Sequence, residues 1–346
     1  MYDSCVLDEH DLALVHALQE APRASWAQLA STLSSDPRTL ARRYGRLYDA
    51  CLLRVMATAG PRLLEQLVFV HLRVGTAPGQ ASDVADALAR WPQATTIRLT
   101  DGPFDVYALL LGARHATLVA AAQERLAALP AVRAAELSTV LQIGDVGRAA
   151  RLDSLNRRQI EELRGARVHA DPTAPAAALT TADLELMQLL AQDGRADIAD
   201  LAHRLDRDPS AVSRRVAQLQ KRGAIDIIAI TPDTASSAPV RAFLWCTVAP
   251  QELQPLVMNS PSVRWVGLLT VTTGRANVAL IANLRTRSQL PRVQAALTSL
   301  SPSLQVRETQ LSARAVKVHM RRLTVDDRWT DDVGDPYWDL RHELVG

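Results

Sequence analysis

Between Leu179 and Ile225, apolar residues recur at helical spacing in three windows separated by turn signals. Leu184, Met187 and Leu190 share one face. Thr180 or Thr181 can cap that helix, and Gly194 is placed to end it as a residue tolerant of left-handed backbone. Asp197 opens a second short helix with Ile198, Leu201 and Leu205 inward. Asp208-Pro209 opens a third, with the aspartate at the cap and the proline at the first helical position. Its inward positions are Val212, Val216 and Leu219, and Gly223 closes it. Two short helices, a tight turn and a third helix predict a helix-turn-helix, with Ile225–Ile230 following as a β-rich wing.

The period then changes. Ala242–Val248, Val263–Val271, Val278–Ala282 and Leu304–Leu311 read as strands, with Gln251–Met258 and Gln289–Leu300 as helices between them. The order is β-α-β-β-α-β, the ferredoxin-like split unit.

The same pattern occurs earlier in the chain. Sliding the sequence by 172 residues aligns Leu7–Leu53 with Leu179–Ile225 without a gap, with sixteen of forty-seven positions identical. They include Asp11, Arg23, Asp36, Pro37, Arg42 and Arg43 beside the helix-core leucines and alanines. Strands at Leu67–Val74, Thr95–Thr100, Val106–Leu111 and Val132–Leu141 follow, with helices at Ser82–Trp91 and His115–Leu129. We read a tandem duplication and an α+β fold: two copies of a winged helix-turn-helix, each followed by a ferredoxin-like β-α-β-β-α-β sandwich.

The expected division is a first, degenerate helix-turn-helix at residues 1–60, a first sheet domain at 61–147, and a linker with a short helix at 148–178. A second helix-turn-helix at 179–232, a second sheet domain at 233–322 and an acidic Trp-containing tail at 323–346 complete it. Asp171–Ala178 reads as an extended linker. Trp329, Tyr337 and Trp338 in a polar tail point to docking on the protein's own surface.

Composition narrows the function classes. With 39 basic and 37 acidic residues the net charge is only +2, which excludes a uniformly polybasic protein and leaves room for a local basic patch. An aromatic share of 4% argues against stacking platforms for single strands. Lys221 and Lys317 are the only lysines, a bias read first as GC-rich coding and second as phosphate chemistry. Cys5, Cys51 and Cys246 are far apart and odd in number, so neither a disulfide framework nor a zinc ribbon is expected. The start lacks a signal-peptide pattern, and the longest apolar run, Val106–Ala113, is too short to span a bilayer. A cytoplasmic, nucleoid-associated protein with no membrane contact is expected.

A helix lying in the major groove needs an apolar inner side and short polar or arginine side chains outside. The window Arg204–Arg222 carries a local charge of +4, and Thr32–Ala50 carries +2. Arg207, Ser210, Ser213, Arg214 and Arg215 are the leading DNA-contact candidates, with Arg38, Arg42, Arg43 and Arg46 secondary. Arginines placed only for solubility are the alternative. Asp-Pro followed by Arg-Arg on the same scaffold in both copies favours DNA.

Asp208–Ile225, followed by the β-α-β-β-α-β unit, resembles the Lrp/AsnC (feast/famine) transcriptional regulators, over nearly the whole chain and twice. The resemblance implies binding of double-stranded DNA, a small-molecule-sensing domain called RAM, and a homodimer or larger species. The first copy departs from the pattern at Tyr44, Tyr48, Asp49 and Cys51, the last standing where a helix-ending glycine belongs. In the family an effector loop lies between the middle RAM strands. Here it matches Asp101, Gly102 and Asp105, an aspartate suited to an α-ammonium, so an amino acid is the expected effector. An ordinary hairpin turn is the alternative. The second loop offers Gly274 and Asn277 without the charge.

The tandem architecture also resembles the siroheme decarboxylases. Those enzymes carry a His-Asn-Tyr-type segment before the first RAM strand, and neither Val55–Gln66 nor Ile227–Val240 holds a histidine or tyrosine. Phosphate-loop, dinucleotide, zinc-protease and serine-hydrolase motifs are lacking as well. No catalytic residue, metal or cofactor is expected, and the chain is read as a non-enzyme. A ligand-binding or assembly module that has lost DNA binding is the remaining alternative.

Overall fold

Asp8, Ser25 and Asp36 each stand one residue before a helix and accept hydrogen bonds from its first-turn N–H groups. Such side chains satisfy donors that every helix start leaves open. The helices they start are α1 (Glu9–Glu20), α2 (Trp26–Leu33) and α3 (Pro37–Asp49), followed by β1 (Arg54–Ala59) and the single turn α4 (Pro61–Leu64). The computed structural model describes residues 7–146, 154–171, 173–174, 179–260, 263 and 265–335.

The first sheet segment runs β2 (Val68–Thr76), α5 (Ala81–Ala89), β3 (Ala94–Thr100), β4 (Val106–Gly112), α6 (His115–Ala127) and β5 (Val132–Val146). Helix α7 (Arg157–Ala166) lies in the join. The series then recurs, with Thr180, Asp197 and Asp208 capping α8 (Thr181–Gln192), α9 (Ile198–Leu205) and α10 (Pro209–Lys221). Next come β6 (Ile225–Ile230), β7 (Val240–Thr247), α11 (Pro250–Asn259), β8 (Val266–Thr272), β9 (Val278–Leu284), α12 (Leu290–Leu300) and β10 (Gln305–Val318). A short hairpin, β11 (Arg321–Leu323) and β12 (Trp329–Val333), follows. The chain is thus an α+β protein in which the expected element order runs twice.

Gly194 does not serve as expected: Asp193 caps α8, and Gly194 is not among the left-handed residues. A Cβ there would stand 2.8 Å from the backbone nitrogen of Met56, so close approach of backbone calls for glycine. Gly223 does take left-handed backbone (φ 66°), and so does its counterpart Cys51 (φ 56°). The cysteine therefore keeps the glycine's conformation.

The chain divides into two compact units, Met1–Leu67 with Leu152–Ala235 and His319–Gly346, and Val68–Arg151 with Ser236–Val318. In the first, both three-helix modules share one core that includes Leu14, Leu18, Leu29 and Leu47 beside Leu184, Met187, Leu190 and Leu219. Their wings pair antiparallel, from Arg54 opposite Ile230 to Ala59 opposite Ile225. His16 accepts from the N–H groups of Ser154 and Leu155 and so holds the entry to α7. Trp329 is buried on this unit, its backbone N–H donating to the carbonyl of Cys51. Tyr337, Trp338 and most of Asp171–Ala178 lie outside the described residues.

In the second unit, β2 to β5 form one antiparallel sheet in the order β3-β4-β2-β5, and β7 to β10 form another in the order β8-β9-β7-β10. The long strands turn the corners. The first half of β5 pairs with β2 and its second half with β8. Likewise β10 pairs first with β7 and then with β3. Among the described residues, the eight strands β2 to β5 and β7 to β10 close into a ring. Each sheet covers a separate apolar core under its own two helices, one containing Val84, Leu88 and Leu118 and the other Leu256, Val293 and Leu297.

Candidate functional site

Helix α10 turns Val212, Val216 and Leu219 inward, which leaves Ser210, Ser213, Arg214, Ala217, Gln218 and Lys221 exposed along one stripe. Nothing acidic interrupts it. Asp208 sits at its N-terminal end, where it accepts from the N–H groups of Ser210 and Ala211 and from the Ser210 hydroxyl, and these bonds hold its carboxyl below the usual range. Arg207 lies exposed in the preceding turn. Helix α3 presents Arg38, Arg42, Arg46 and Asp49 at the corresponding exposed positions, with Gly45 open to solvent.

Three of the arginines expected at a DNA surface are tied to carboxylates of the protein. Arg215 grips the carboxylate of Asp183 at the start of α8 with two bonds of 2.6 Å each. Arg43 binds Asp11 at 2.8 Å and Asp8 at 2.7 Å, and Arg46 binds Asp11 at 2.6 Å. Asp11 and Asp183 are almost fully buried, so each needs a cation to be stable as a carboxylate. The second arginine of each Arg-Arg pair ties the third helix to the first, while the first of each pair, Arg42 or Arg214, faces outward beside the exposed Arg38 and Arg207.

The first module's aromatic departures also have partners. Tyr44 stacks against Trp26 with ring centroids 5.4 Å apart, and the Arg54 guanidinium lies 4.0 Å over Tyr48. Arg195 stands over Trp26 at 4.2 Å. Tyr44 and Tyr48 stand where the second module has Val216 and Gln220, and α3 and α10 are both 13 residues long.

The loop expected to bind an effector is latched at both ends. Gly102 and Gly274 take left-handed backbone (φ 88° and 103°), as tight hairpin turns require. Asp105 Oδ2 accepts from the N–H of Thr76 at 2.7 Å and from its hydroxyl at 3.0 Å. Asn277 makes the same latch in the second sheet, bonding the N–H and carbonyl of Val248 at 2.9 and 2.8 Å. Asp101 accepts from the N–H of Leu311, and Gln310 donates to the carbonyls of Asp101 and Phe104. Asp105 and Asn277 therefore close hairpins rather than presenting free polar groups to a ligand.

A polar layer missed by sequence reading lies between the two sheets. Arg73 is held at 2.7 Å by both Glu136 and Glu308, with its guanidinium 4.2 Å over the Trp245 ring and 4.4 Å over Phe104. His71, only 1% exposed, lies 2.9 Å from both the Tyr107 hydroxyl and the Thr270 hydroxyl. Thr270 donates its own proton to the carbonyl of Ala279, so His71 Nε2–H donates to Thr270 and Nδ1 accepts from Tyr107. Burial, aided by Arg73, pushes the His71 pKa down to about 3, and burial pushes that of Tyr107 up. Both stay neutral near pH 7, which makes this layer a packed polar core rather than an acid–base pair. Its two sides differ in kind. Positions 172 apart pair His71 with Phe243, Arg73 with Trp245, Arg98 with Thr270 and Tyr107 with Ala279.

Residues 7–47 match the AsnC-type helix-turn-helix domain, and residues 178–240 match a second family model described as HVO_A0114. An uncharacterised HTH-type transcriptional regulator of Pyrococcus horikoshii is 22% identical over 144 residues, which cover 41% of this chain and 91% of that protein. One from Pyrococcus abyssi is 26% identical over 101 residues, 29% of this chain and 68% of that protein. Among solved structures, the siroheme decarboxylase NirDL in co-complex with an iron-uroporphyrin III analogue matches with a TM-score of 0.59 at 12% identity, over 98% of this chain and 99% of that one. The likeness is one of fold. It corrects the expectation of a non-enzyme, because the architecture taken over its whole length is one that an enzyme carries. Among the described residues no helix is long and apolar enough to cross a membrane.

Proposed function

We propose that this chain, which carries an AsnC-type helix-turn-helix domain at residues 7–47 and is related to HTH-type transcriptional regulators, binds double-stranded DNA with α10 as its main reading helix. The observation that carries this reading is the exposed stripe of α10, where Ser210, Ser213, Arg214, Gln218 and Lys221 stand on a helix whose inner face is fully packed. Arginine and glutamine at such positions can each make two bonds to a base edge, arginine as donor in both and glutamine as donor and acceptor, and small hydroxyls admit close approach to phosphate. Arg38 and Arg42 of α3 give a second, weaker surface. Arg43, Arg46 and Arg215 are left out of the proposed interface because they hold Asp8, Asp11 and Asp183.

Fluorescence anisotropy on duplexes from upstream of the chain's own gene, across a salt series, tests this. Tighter binding than to scrambled DNA, lost in Arg214→Ala, supports it; equal, salt-insensitive binding to both refutes it. For the effector, we keep a small amine or amino acid at the exposed Asp101–Gly102 end of the first loop, with an assembly of more than one chain. Unchanged ligand-dependent melting in Asp101→Ala would remove that assignment.

The whole-chain likeness to NirDL favours a second reading, an activity on an iron tetrapyrrole. A shift of the siroheme absorption spectrum on mixing, followed by release of carbon dioxide, would establish it; an unshifted spectrum would exclude it.

A further inference from the structure

We infer that the DNA this chain reads is a single asymmetric site, whose two half-sites agree at one base-pair position and differ on either side of it. The inference rests on the regulator reading and names its partner.

The two reading helices are fixed relative to one another within one unit. Their wings form a single antiparallel ladder, and Arg23 and Arg195 bond each other's turns. Residues 172 apart therefore occupy matching places around a local two-fold. A two-fold protein with identical helices reads a palindrome. Here the residues matching the exposed stripe of α10 are Arg38 for Ser210, Ala41 for Ser213, Arg42 for Arg214, Gly45 for Ala217, Arg46 for Gln218 and Asp49 for Lys221.

Only the Arg42/Arg214 pair is chemically the same. Arginine donates two bonds to the O6 and N7 of guanine, so one guanine position recurs in both half-sites. Gln218 has the bidentate amide suited to adenine, whereas Arg46 opposite it is tied to Asp11. Lys221 attracts a phosphate at the end of α10, and Asp49 repels one at the end of α3. The α10 half-site is therefore read in sequence, and the α3 half-site is held by Arg38 and Arg42 with fewer base contacts.

The test is selection from random duplexes with the full chain, followed by anisotropy on the selected site and on two symmetrised forms that repeat either half as an inverted repeat. The expected site shares one guanine position and otherwise differs between halves. Both symmetrised forms bind at least about fivefold more weakly, the low end of what one mismatched pair costs. Arg214→Ala relaxes selection in one half, Arg42→Ala relaxes the matching position in the other, and Gln218→Ala relaxes only the first. A palindrome that binds as tightly as any asymmetric sequence overturns the inference while leaving the regulator reading intact. A selection that enriches nothing, with no salt-dependent binding, overturns both.

Discussion

Arg23 and Arg195 perform one task from opposite sides. Arg23 donates to the carbonyls of Gly194 (2.6 Å) and Ala196 (3.3 Å), and Arg195 donates to those of Pro22 (2.6 Å) and Ala24 (3.0 Å). Donors and acceptors alike are 172 residues apart, so the exchange is reciprocal position for position. Each guanidinium satisfies backbone carbonyls at the turn that follows the other module's first helix. The two modules are thereby held in one register before any contact with a ligand.

Removing either arginine leaves half-buried carbonyls without their charged donor, a loss of about 1.5–3 kcal/mol. Arg195→Ala is expected to cost more than Arg23→Ala, because it also gives up the stacking on Trp26. Denaturant unfolding of the two variants checks the order. Equal midpoints would show that the Trp26 contact adds nothing.

The adjacent arginines of α10 should separate cleanly. Arg214→Ala is expected to leave the unfolding midpoint unchanged and weaken DNA binding. Arg215→Ala is expected to cost roughly 1–3 kcal/mol of stability, because it strands the buried carboxylate of Asp183. The pH dependence follows. Burial raises the Asp183 pKa, but bonds from Arg215 and Thr180 outweigh it and hold the group below the ordinary value of 3.8. The ion pair's stability is therefore complete above that value and fades as pH falls below it. Asp183→Asn should flatten that acid limb; an unchanged limb would exonerate this pair.

The interior histidine gives a second pH signature at milder acidity. His71 is neutral in the fold with a pKa of about 3, against 6.5 when unfolded. Stability is complete above 6.5 and falls as pH drops from there toward 3, at up to about 1.4 kcal/mol per pH unit. His71→Gln should remove this slope, as followed by thermal melts between pH 7 and 4. A slope that persists would place its origin elsewhere.

Cys51 and Gly223 share a left-handed backbone at equivalent positions, yet differ in freedom to carry a side chain. A Cβ at Gly223 would come 2.9 Å from Arg62 Cγ. Gly223→Ala should therefore destabilise by about 1–2 kcal/mol from backbone strain alone, and more from crowding. Cys51→Gly should be neutral or slightly stabilising. Paired thermal melts decide the matter, and a stabilised Gly223→Ala would contradict it.

Most of the fold was legible because its signals are local. The caps at Thr180, Asp197 and Asp208, the proline at 209 and the switch from helical to alternating periodicity depend on neighbours in sequence. The match at residues 7–47 falls on the module whose departures were expected to weaken it; of those departures Tyr44 lies within the matched stretch, where it packs against Trp26, and Tyr48, Asp49 and Cys51 lie beyond it. What escaped sequence reading depends on partners far along the chain. Arg73 meets Glu308 across 235 positions, and His71 meets Thr270 across 199. One signal was present for part of it. Asp11 with Asp183, Arg23 with Arg195, and Arg43 with Arg215 are three of the five charged identities in a mostly apolar agreement, and all three pairs form internal ties.

The corner strands β5 and β10 have a further effect on how chains can meet. A sheet with a free margin offers its unpaired N–H and C=O groups to any extended segment nearby. In the ring, β5 and β10 lend one half to each sheet, so each half has a partner strand on one side, whereas the six strands between them are paired on both. Further chains can therefore add strands to this unit only along the open side of those halves. Elsewhere they meet it through helices or side-chain surfaces, which can be redesigned one residue at a time without disturbing the hydrogen-bond ladder beneath.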